Sequence, residues 1–282
     1  MFWLILFVFG LAIGSFLNVV AGRYDGERSL FAAGPISGRS YCPHCKRTLR
    51  WFELVPVVSF IMQGGKCRRC HAPIGLGYPA AEIISGLIFV FVPWRIMILS
   101  GAGGFLFAGL SFFWVVAFEA LFVMSLIDIR LGIIPDELSG FLCVLALFSG
   151  IFVAGYLGLT DHSLFGTFAD MFGLQGNYWI SHLFAALFGG AFFGALIAIT
   201  RGRGMGMGDL KLAIPLGFFL GWPDILFAIA FAFVIGAAVG LVTIAMGKRT
   251  MKGSLPFGPF FALGVATVFF FGYQMFGWYL RL

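Results

Sequence analysis

Charge is what this chain has least of. Asp, Glu, Lys and Arg together supply 11% of its 282 residues, and only twelve residues are acids. A soluble domain carries about a quarter charged residues. The apolar set AVILMFWYC fills 61% of the chain, and mean hydropathy is +1.01. That leaves too little polar surface to clothe a water-soluble globule of this size. Intrinsic disorder and coiled coil are excluded as whole-chain descriptions by the same numbers. Cysteine is scarce too. Five residues in this length exclude a secreted disulfide scaffold. The composition implies an all-α polytopic membrane protein.

A transmembrane helix needs about 20 mostly apolar residues. Stretches of that kind lie near 1–21, 79–99, 104–127, 137–158, 178–200, 209–222, 224–247 and 255–280, about eight spans. The stretch at 209–222 is short and opens on Asp209. The first span has no Lys or Arg before Arg23, unlike the basic n-region of a cleavable signal peptide. It reads as an uncleaved helix with its N-terminus outside. Gly190 and Gly194 form a GxxxG in the fifth span, a hint of close helix packing. The seven Trp and most of the 37 Phe read as lipid-facing and interfacial bulk.

The formal net charge is +6, and its placement follows the loops. Arg23, Arg28, Arg39, Lys46, Arg47, Arg50, Lys66, Arg68 and Arg69 fall between the first two spans. With alternating spans, Arg130, Arg201, Arg203, Lys211, Lys248, Arg249 and Lys252 fall on the same side, leaving Arg95 and Arg281 for the other. The positive-inside rule then puts residues 22–78 in the cytoplasm. Because the charges track loops and form no face, no nucleic-acid partner is expected; the partner is the bilayer. The chain divides into a first helix (1–21), a cytoplasmic insertion (22–78) and a membrane domain (79–282).

The insertion holds two CxxC knuckles, Cys42-Pro43-His44-Cys45 and Cys67-Arg68-Arg69-Cys70, separated by residues 46–66. That is zinc-ribbon spacing. Four thiolates complete a tetrahedral ion and leave no open position, so Zn2+ here would be structural. Lys46, Arg47, Lys66, Arg68 and Arg69 stand beside the knuckles to offset the formal charge of −2 on a Zn(Cys)4 centre. Two disulfides are the competing reading, disfavoured in a reducing cytosol. His44 and His71 adjoin the knuckles as neighbours of the ligands, and Cys143 reads as a small buried hydrophobe in a span.

Each acid near a span is informative, because ionisable groups in a bilayer are costly. Asp128 closes the span 104–127, and Asp209 opens another after Gly202-Arg203-Gly204-Met205-Gly206-Met207-Gly208. Brought together, two carboxylates share a proton, one acting as base on water and the other as acid on a peptide carbonyl. From spacing alone, catalysis competes with interfacial capping or an ion pair, as in transporters. Gly206 and Gly208 fit neither a dinucleotide nor a phosphate loop. Side chains without bulk let a backbone come close, which beside a catalytic acid suits an extended peptide. Helix polarity would favour Asp209 as base, at a helix start, and Asp128 as acid, at a helix end.

Taken together, these residues resemble the bifunctional type IV prepilin peptidases, GxGD-type intramembrane aspartyl proteases that also N-methylate. Gly206-Met207-Gly208-Asp209-Leu210-Lys211 is similar to the family's GxGDxK motif, and Ile127-Asp128 with Ile134-Pro135-Asp136 to its first aspartate motif. Gly14-Ser15-Phe16-Leu17-Asn18-Val19-Val20 resembles the family's opening. The knuckles, Trp51, Pro56, Ser59 and Tyr78-Pro79-Ala80-Ala81-Glu82 resemble its cytoplasmic domain. The likeness runs from about residue 10 to about 260; it is poorest at 25–39, and Leu54 stands where the family often has asparagine. The resemblance implies cleavage of a basic leader from prepilins or pseudopilins at the cytoplasmic face of the bacterial inner membrane. Methylation of the new N-terminus with S-adenosylmethionine follows. It also implies Asp128 and Asp209 as the catalytic pair, and the cysteine domain with Glu82 as the methyltransferase-associated part.

Other polar residues have local readings. Glu119 lies nine residues before Asp128, on the opposite helix face at about 100° per residue, and suits an interhelical hydrogen bond. Asp136 caps the next helix or takes part in chemistry. Lys211 neutralises a nearby acid or snorkels. Asn18 and Arg23 bind substrate or brace the cytoplasmic domain. Asp161, Asp170, His162, Asp224 and His182 read as external or interfacial. The competing function is a non-enzymatic membrane protein, a proton-coupled transporter or zinc-ribbon scaffold, using the acids as relay or anchor.

Overall fold

The computed structural model describes residues 1–27, 29–100, 103–158, 163–174, 176–247 and 255–277. Arg28, Asp161, His162, Lys248, Arg249, Lys252 and Arg281, named above, lie outside the described residues. Among the described residues the chain is helical throughout, with isolated backbone bridges only at Tyr41–Thr48 and Lys66–Pro73. Seven helices among the described residues are long and apolar enough to cross a membrane. They are α1 (Phe2–Arg23), α4 (Gly77–Ser100), α5 (Gly104–Leu131), α6 (Asp136–Leu157), α7 (Tyr178–Thr200), α9 (Asp224–Ala245) and α10 (Gly258–Gly277). The short stretch at 209–222 forms α8 (Met207–Leu220), whose 14 residues rise about 21 Å. That is less than the roughly 30 Å of a hydrocarbon core. Two short helices, α2 (Ala33–Ile36) and α3 (Val58–Met62), and a 3₁₀ turn at Trp51–Glu53 lie in the insertion.

The chain forms two compact units, Met1–Ile127 and Asp128–Leu282, so the boundary falls inside α5. In the first unit α1 pairs with α4. A Cβ on Gly10 would stand 2.8 Å from the Cα of Gly86, and one on Gly14 would stand 2.6 Å from the Cβ of Ser85. As α1 ascends from residue 10 to 14, α4 descends, so the two are antiparallel and the ends that bracket the insertion emerge together. The Ser85 hydroxyl lies 2.7 Å from the Gly10 carbonyl and 2.8 Å from the Glu119 carboxylate. Glu119 therefore takes the interhelical role expected of it. Arg95, which span alternation leaves on the other side from most of the cations, lies within α4 and is 3% exposed.

In the second unit α7 packs on α8, α9 on α10, and α6 on α8. Gly189 meets the carbonyl of Ala213, and Gly217 meets that of Ala185. The GxxxG residues Gly190 and Gly194 lie on the same seam, against Ile214 and Leu210. Not all phenylalanine is lipid-facing bulk: Phe193, Phe233, Phe257 and Phe261 stack into an internal cluster, with Phe193 and Phe261 fully buried. Cys143 departs from expectation in the other direction. It stands exposed on α6 beside Val144, because the outer face of a span is apolar without being covered by protein. Asp224 and His182 are also buried. Asp224 accepts the Leu164 amide at 2.9 Å and the Ser163 hydroxyl, and the His182 ring lies 2.8 Å from the Phe218 carbonyl. Asp224 thus pins the loop that precedes α7, and His182 ties α7 to α8, which position in the sequence alone did not reveal.

Candidate active site and cysteine centre

Three segments of the second unit converge on one cavity of about 620 Å³. The first runs from Asp128 through the turn at Gly132–Ile134 to Asp136. The second is Gly202–Asp209, and the third is Leu255–Phe257. Both aspartates line it, 5% and 9% exposed. Asp128 sits in the last turn of α5, where its carbonyl accepts the Gly132 amide at 2.8 Å. Asp209 is the third residue of α8 and reaches back to accept the Gly206 amide at 3.1 Å. Gly206 has no side chain to answer it, so this bond is half of a capping box; it satisfies one N–H at the start of α8 and fixes the carboxylate at the cavity wall.

Sequence reading missed a partner. The backbone N–H of Gly258, at the start of α10, donates to Asp128 Oδ2 at 2.8 Å in a buried setting. Each acid thus receives one amide N–H from a glycine, and the two glycines come from different segments. The available signal was Gly258-Pro259 after an apolar pair, punctuation that marks a helix start and its unsatisfied N–H groups.

The glycine run is shaped by neighbours as well as by any substrate. A Cβ on Gly208 would sit 3.0 Å from the Cβ of Ile134, so glycine lets α8 approach the turn that follows Asp128 without displacing Ile134. Gly206 is extended, with φ −87° and ψ 158°, and lines the cavity. Lys211 points to Asp136 at the start of α6, with Nζ 2.8 and 2.7 Å from its two oxygens. Of its two readings, pairing with a nearby acid is the one observed.

In the first unit the four cysteine sulfurs all lie within 4.8 Å of one another. The two knuckles repeat one geometry. The Cys42 amide donates to the Arg47 carbonyl and the Lys46 amide to the Cys42 carbonyl, at 3.0 and 2.9 Å. The Cys67 amide donates to Ala72 and the His71 amide to Cys67, both at 2.9 Å. Lys46 and His71 both have φ near +55°, at equivalent positions. The backbone amides of Cys70 and Arg69 point at the Cys67 sulfur and lower its thiol pKa to about 6. Burial and the hydrogen bonds of the three neighbouring thiols push Cys70 the other way, up to about 11; four sulfurs crowded to this separation suit a soft, tetrahedral ion. The disulfide alternative is absent: all four are free thiols, and Cys42 and Cys70 Sγ are 3.8 Å apart.

The surrounding charges are partly engaged elsewhere. Arg47 pairs with the buried Glu53, which also accepts the Arg50 amide at 2.8 Å. Lys46 and Arg68 lie over the rings of Tyr41 and Phe52. Glu82, in the first turns of α4, accepts the Val57 amide at 2.7 Å and so ties the insertion to the helix. Arg23 does the same from α1, donating to the carbonyls of Ser37 and Arg39 at 2.7 and 3.2 Å. The bracing role considered for it is the one present. Asn18 is half-buried in α1.

Two family models match the chain. A model of the bacterial peptidase A24 N-terminal domain matches residues 8–96, and one of the type IV leader peptidase family matches residues 115–241. A prepilin leader peptidase/N-methyltransferase of Burkholderia pseudomallei is 36% identical, over 94% of this chain and 84% of the relative. One from Bacillus subtilis is 31% identical over 99% and 98%, and one from Pseudomonas aeruginosa is 29% identical over 96% and 91%. No solved structure matches.

Proposed function

Since the chain belongs to the type IV leader peptidase family, we propose that it removes the leader from type IV prepilins or pseudopilins and N-methylates the new N-terminus. It acts as a multi-pass protein of the bacterial inner membrane, with the insertion and the active site on the cytoplasmic side. The carrying observation is the cavity lined by Asp128 and Asp209, two buried acids far apart in sequence and each oriented by a backbone amide.

Asp128 and Asp209 are the catalytic pair. Asp209 takes a proton from water, the resulting hydroxide attacks the scissile carbonyl, and Asp128 donates a proton to the carbonyl oxygen. Asp209 then passes its proton to the nitrogen while Asp128 takes one back from a hydroxyl of the tetrahedral adduct, so the C–N bond breaks, the amine leaves and both carboxyls return to their starting states. The α8 N-terminus favours the base at Asp209. The amides of Gly206 and Gly258 hold the two carboxylates so that little reorganisation is needed. Gly206 and Gly208 leave room for an extended substrate backbone, and Lys211 with Asp136 holds α8 to α6 beside the cavity.

The four thiolates of Cys42, Cys45, Cys67 and Cys70 hold a structural Zn2+, which supplies a rigid crosslink and no open coordination position. The cysteine unit and Glu82 serve the methyl-transfer half, and Arg23 braces the insertion from α1. S-adenosylmethionine is its methyl donor. The test is direct: incubate the purified chain with a prepilin, then add S-adenosylmethionine. The reading expects a product shortened by the leader, then heavier by one methyl group. An unchanged prepilin at matched protein concentration contradicts it.

A further inference from the structure

Residues 51–62 form an unusual stretch for an insertion dominated by charge. Between Trp51 and Met62 the only ionisable residue is Glu53, and it is neutralised internally by Arg47 and the Arg50 amide. Trp51, Leu54, Val55, Val58, Ile61 and Met62 are all exposed; Trp51, Ile61 and Met62 are 80%, 70% and 71% exposed. They belong to the 3₁₀ turn at Trp51–Glu53, to α3 (Val58–Met62) and to the bend between, where Val57 has φ 60°, and they are the large apolar side chains this stretch leaves uncovered. The residues between them turn the other way. Glu53 is buried, Phe52 lies under the Arg68 guanidinium, and the ring of Phe60 sits against Gly65.

This stretch is too short to cross a bilayer, yet a face of that size is costly in water. Its surroundings say what covers it. The insertion is held at both ends by membrane helices that emerge together, and Glu82 ties Val57 directly to the first turns of α4. It carries nine Lys and Arg against three acids between residues 22 and 78. Arg50, Lys66, Arg68 and Arg69, which flank the apolar stretch in sequence or across the knuckles, are exposed. Apolar side chains including Trp, rimmed by cations, match the boundary between acyl chains and anionic headgroups.

We propose that residues 51–62 lie in the membrane interface, with the Trp51–Met62 face in the acyl boundary and the flanking cations on anionic lipid headgroups. The cysteine unit is then a surface-bound module. This goes beyond the catalytic assignment and does not depend on it. Where that assignment holds, the docking keeps the insertion at the depth where a freshly cut N-terminus emerges from the bilayer.

The test uses the full chain in nanodiscs whose acyl chains carry bromine, which quenches tryptophan on contact. Trp51's share of the emission is the difference between wild type and Trp51→Phe. The expected result is loss of that share to brominated lipid and protection from aqueous iodide. Quenching by iodide alone overturns the proposal. So does protection from both quenchers, which would point to a protein partner or a second copy. Deuterium uptake gives an independent reading. Uptake across 51–62 should be slower in discs containing phosphatidylglycerol than in neutral discs, and faster in a chain carrying Ile61→Asp and Met62→Asp. Uptake insensitive to both lipid charge and these substitutions overturns it as well.

Discussion

The cysteine centre and the aspartate cavity are built by opposite strategies. All four thiols come from residues 42–70, in two knuckles whose backbone hydrogen bonds repeat one another. The cavity instead gathers residues 128–136, 202–209 and 255–257, and the amide that orients Asp128 lies 130 residues away. A local chelate is specified by spacing and completed by an ion, whereas the long-range site is specified by helix packing. The first is therefore sensitive to loss of single ligands, and the second to anything that shifts α8, α10 or the end of α5.

That contrast can be broken by variants on either side. The largest expected effect is on the cysteine centre. Cys42→Ser with Cys67→Ser should abolish bound zinc, measured by atomic absorption, and abolish methylation while leader cleavage persists. Loss of both activities with a folded membrane domain would show that the two sites are not separable.

Next in size is Gly258→Pro, which keeps a residue suited to a helix start but removes the N–H that Asp128 accepts. Asp128 becomes a carboxylate as it gives up its proton in the reaction, and a hydrogen bond to a charged group is worth about 1.5–3 kcal/mol, so kcat should fall roughly 10- to 100-fold. Gly258→Ala retains the N–H and should retain far more activity. Equal losses in the two variants would make the amide irrelevant.

Gly208→Ala puts a Cβ 3.0 Å from that of Ile134. Mild overpacking of this kind costs about 1–3 kcal/mol, and Ile134→Ala in the same chain should restore much of the cleavage rate. Lack of rescue would place the effect of Gly208 on substrate rather than on packing. The smallest effect belongs to the Lys211–Asp136 pair, whose side chains are largely solvent-accessible. Exposed pairs contribute little. Lys211→Met should lower thermal stability only slightly and cleavage less than about threefold. A greater loss, recovered by exchanging the two charges, would make the pair a positioning device for Asp209.

The same contrast explains what the sequence disclosed. The cysteine ligands were legible because chelate spacing is a local rule. Asp128 and Asp209 stood out because acids are rare in an apolar chain, and the seven long spans because hydropathy reads length directly. The Gly258 amide was hidden, since every residue but proline carries a backbone N–H and only the fold decides which one meets an acid. Asp224 and His182 were read as external because they sit near helix ends. Their burial comes from bonds to Ser163, Leu164 and Phe218, and no local pattern encodes those partners. The exposure of Cys143 and the interior stacking of Phe193 with Phe261 were equally unreadable. In an apolar span, hydrophobicity does not distinguish the face toward lipid from the face toward protein.

The central claim is that two acids act as one unit. Its most direct test is the single-turnover rate of leader cleavage by purified wild type, Asp128→Asn and Asp209→Asn, with products read by mass. Asparagine keeps the size of each side chain but can neither take nor give the proton. Each variant alone should lose cleavage completely while keeping wild-type expression and thermal stability. Cleavage at a near wild-type rate by either variant would contradict the account.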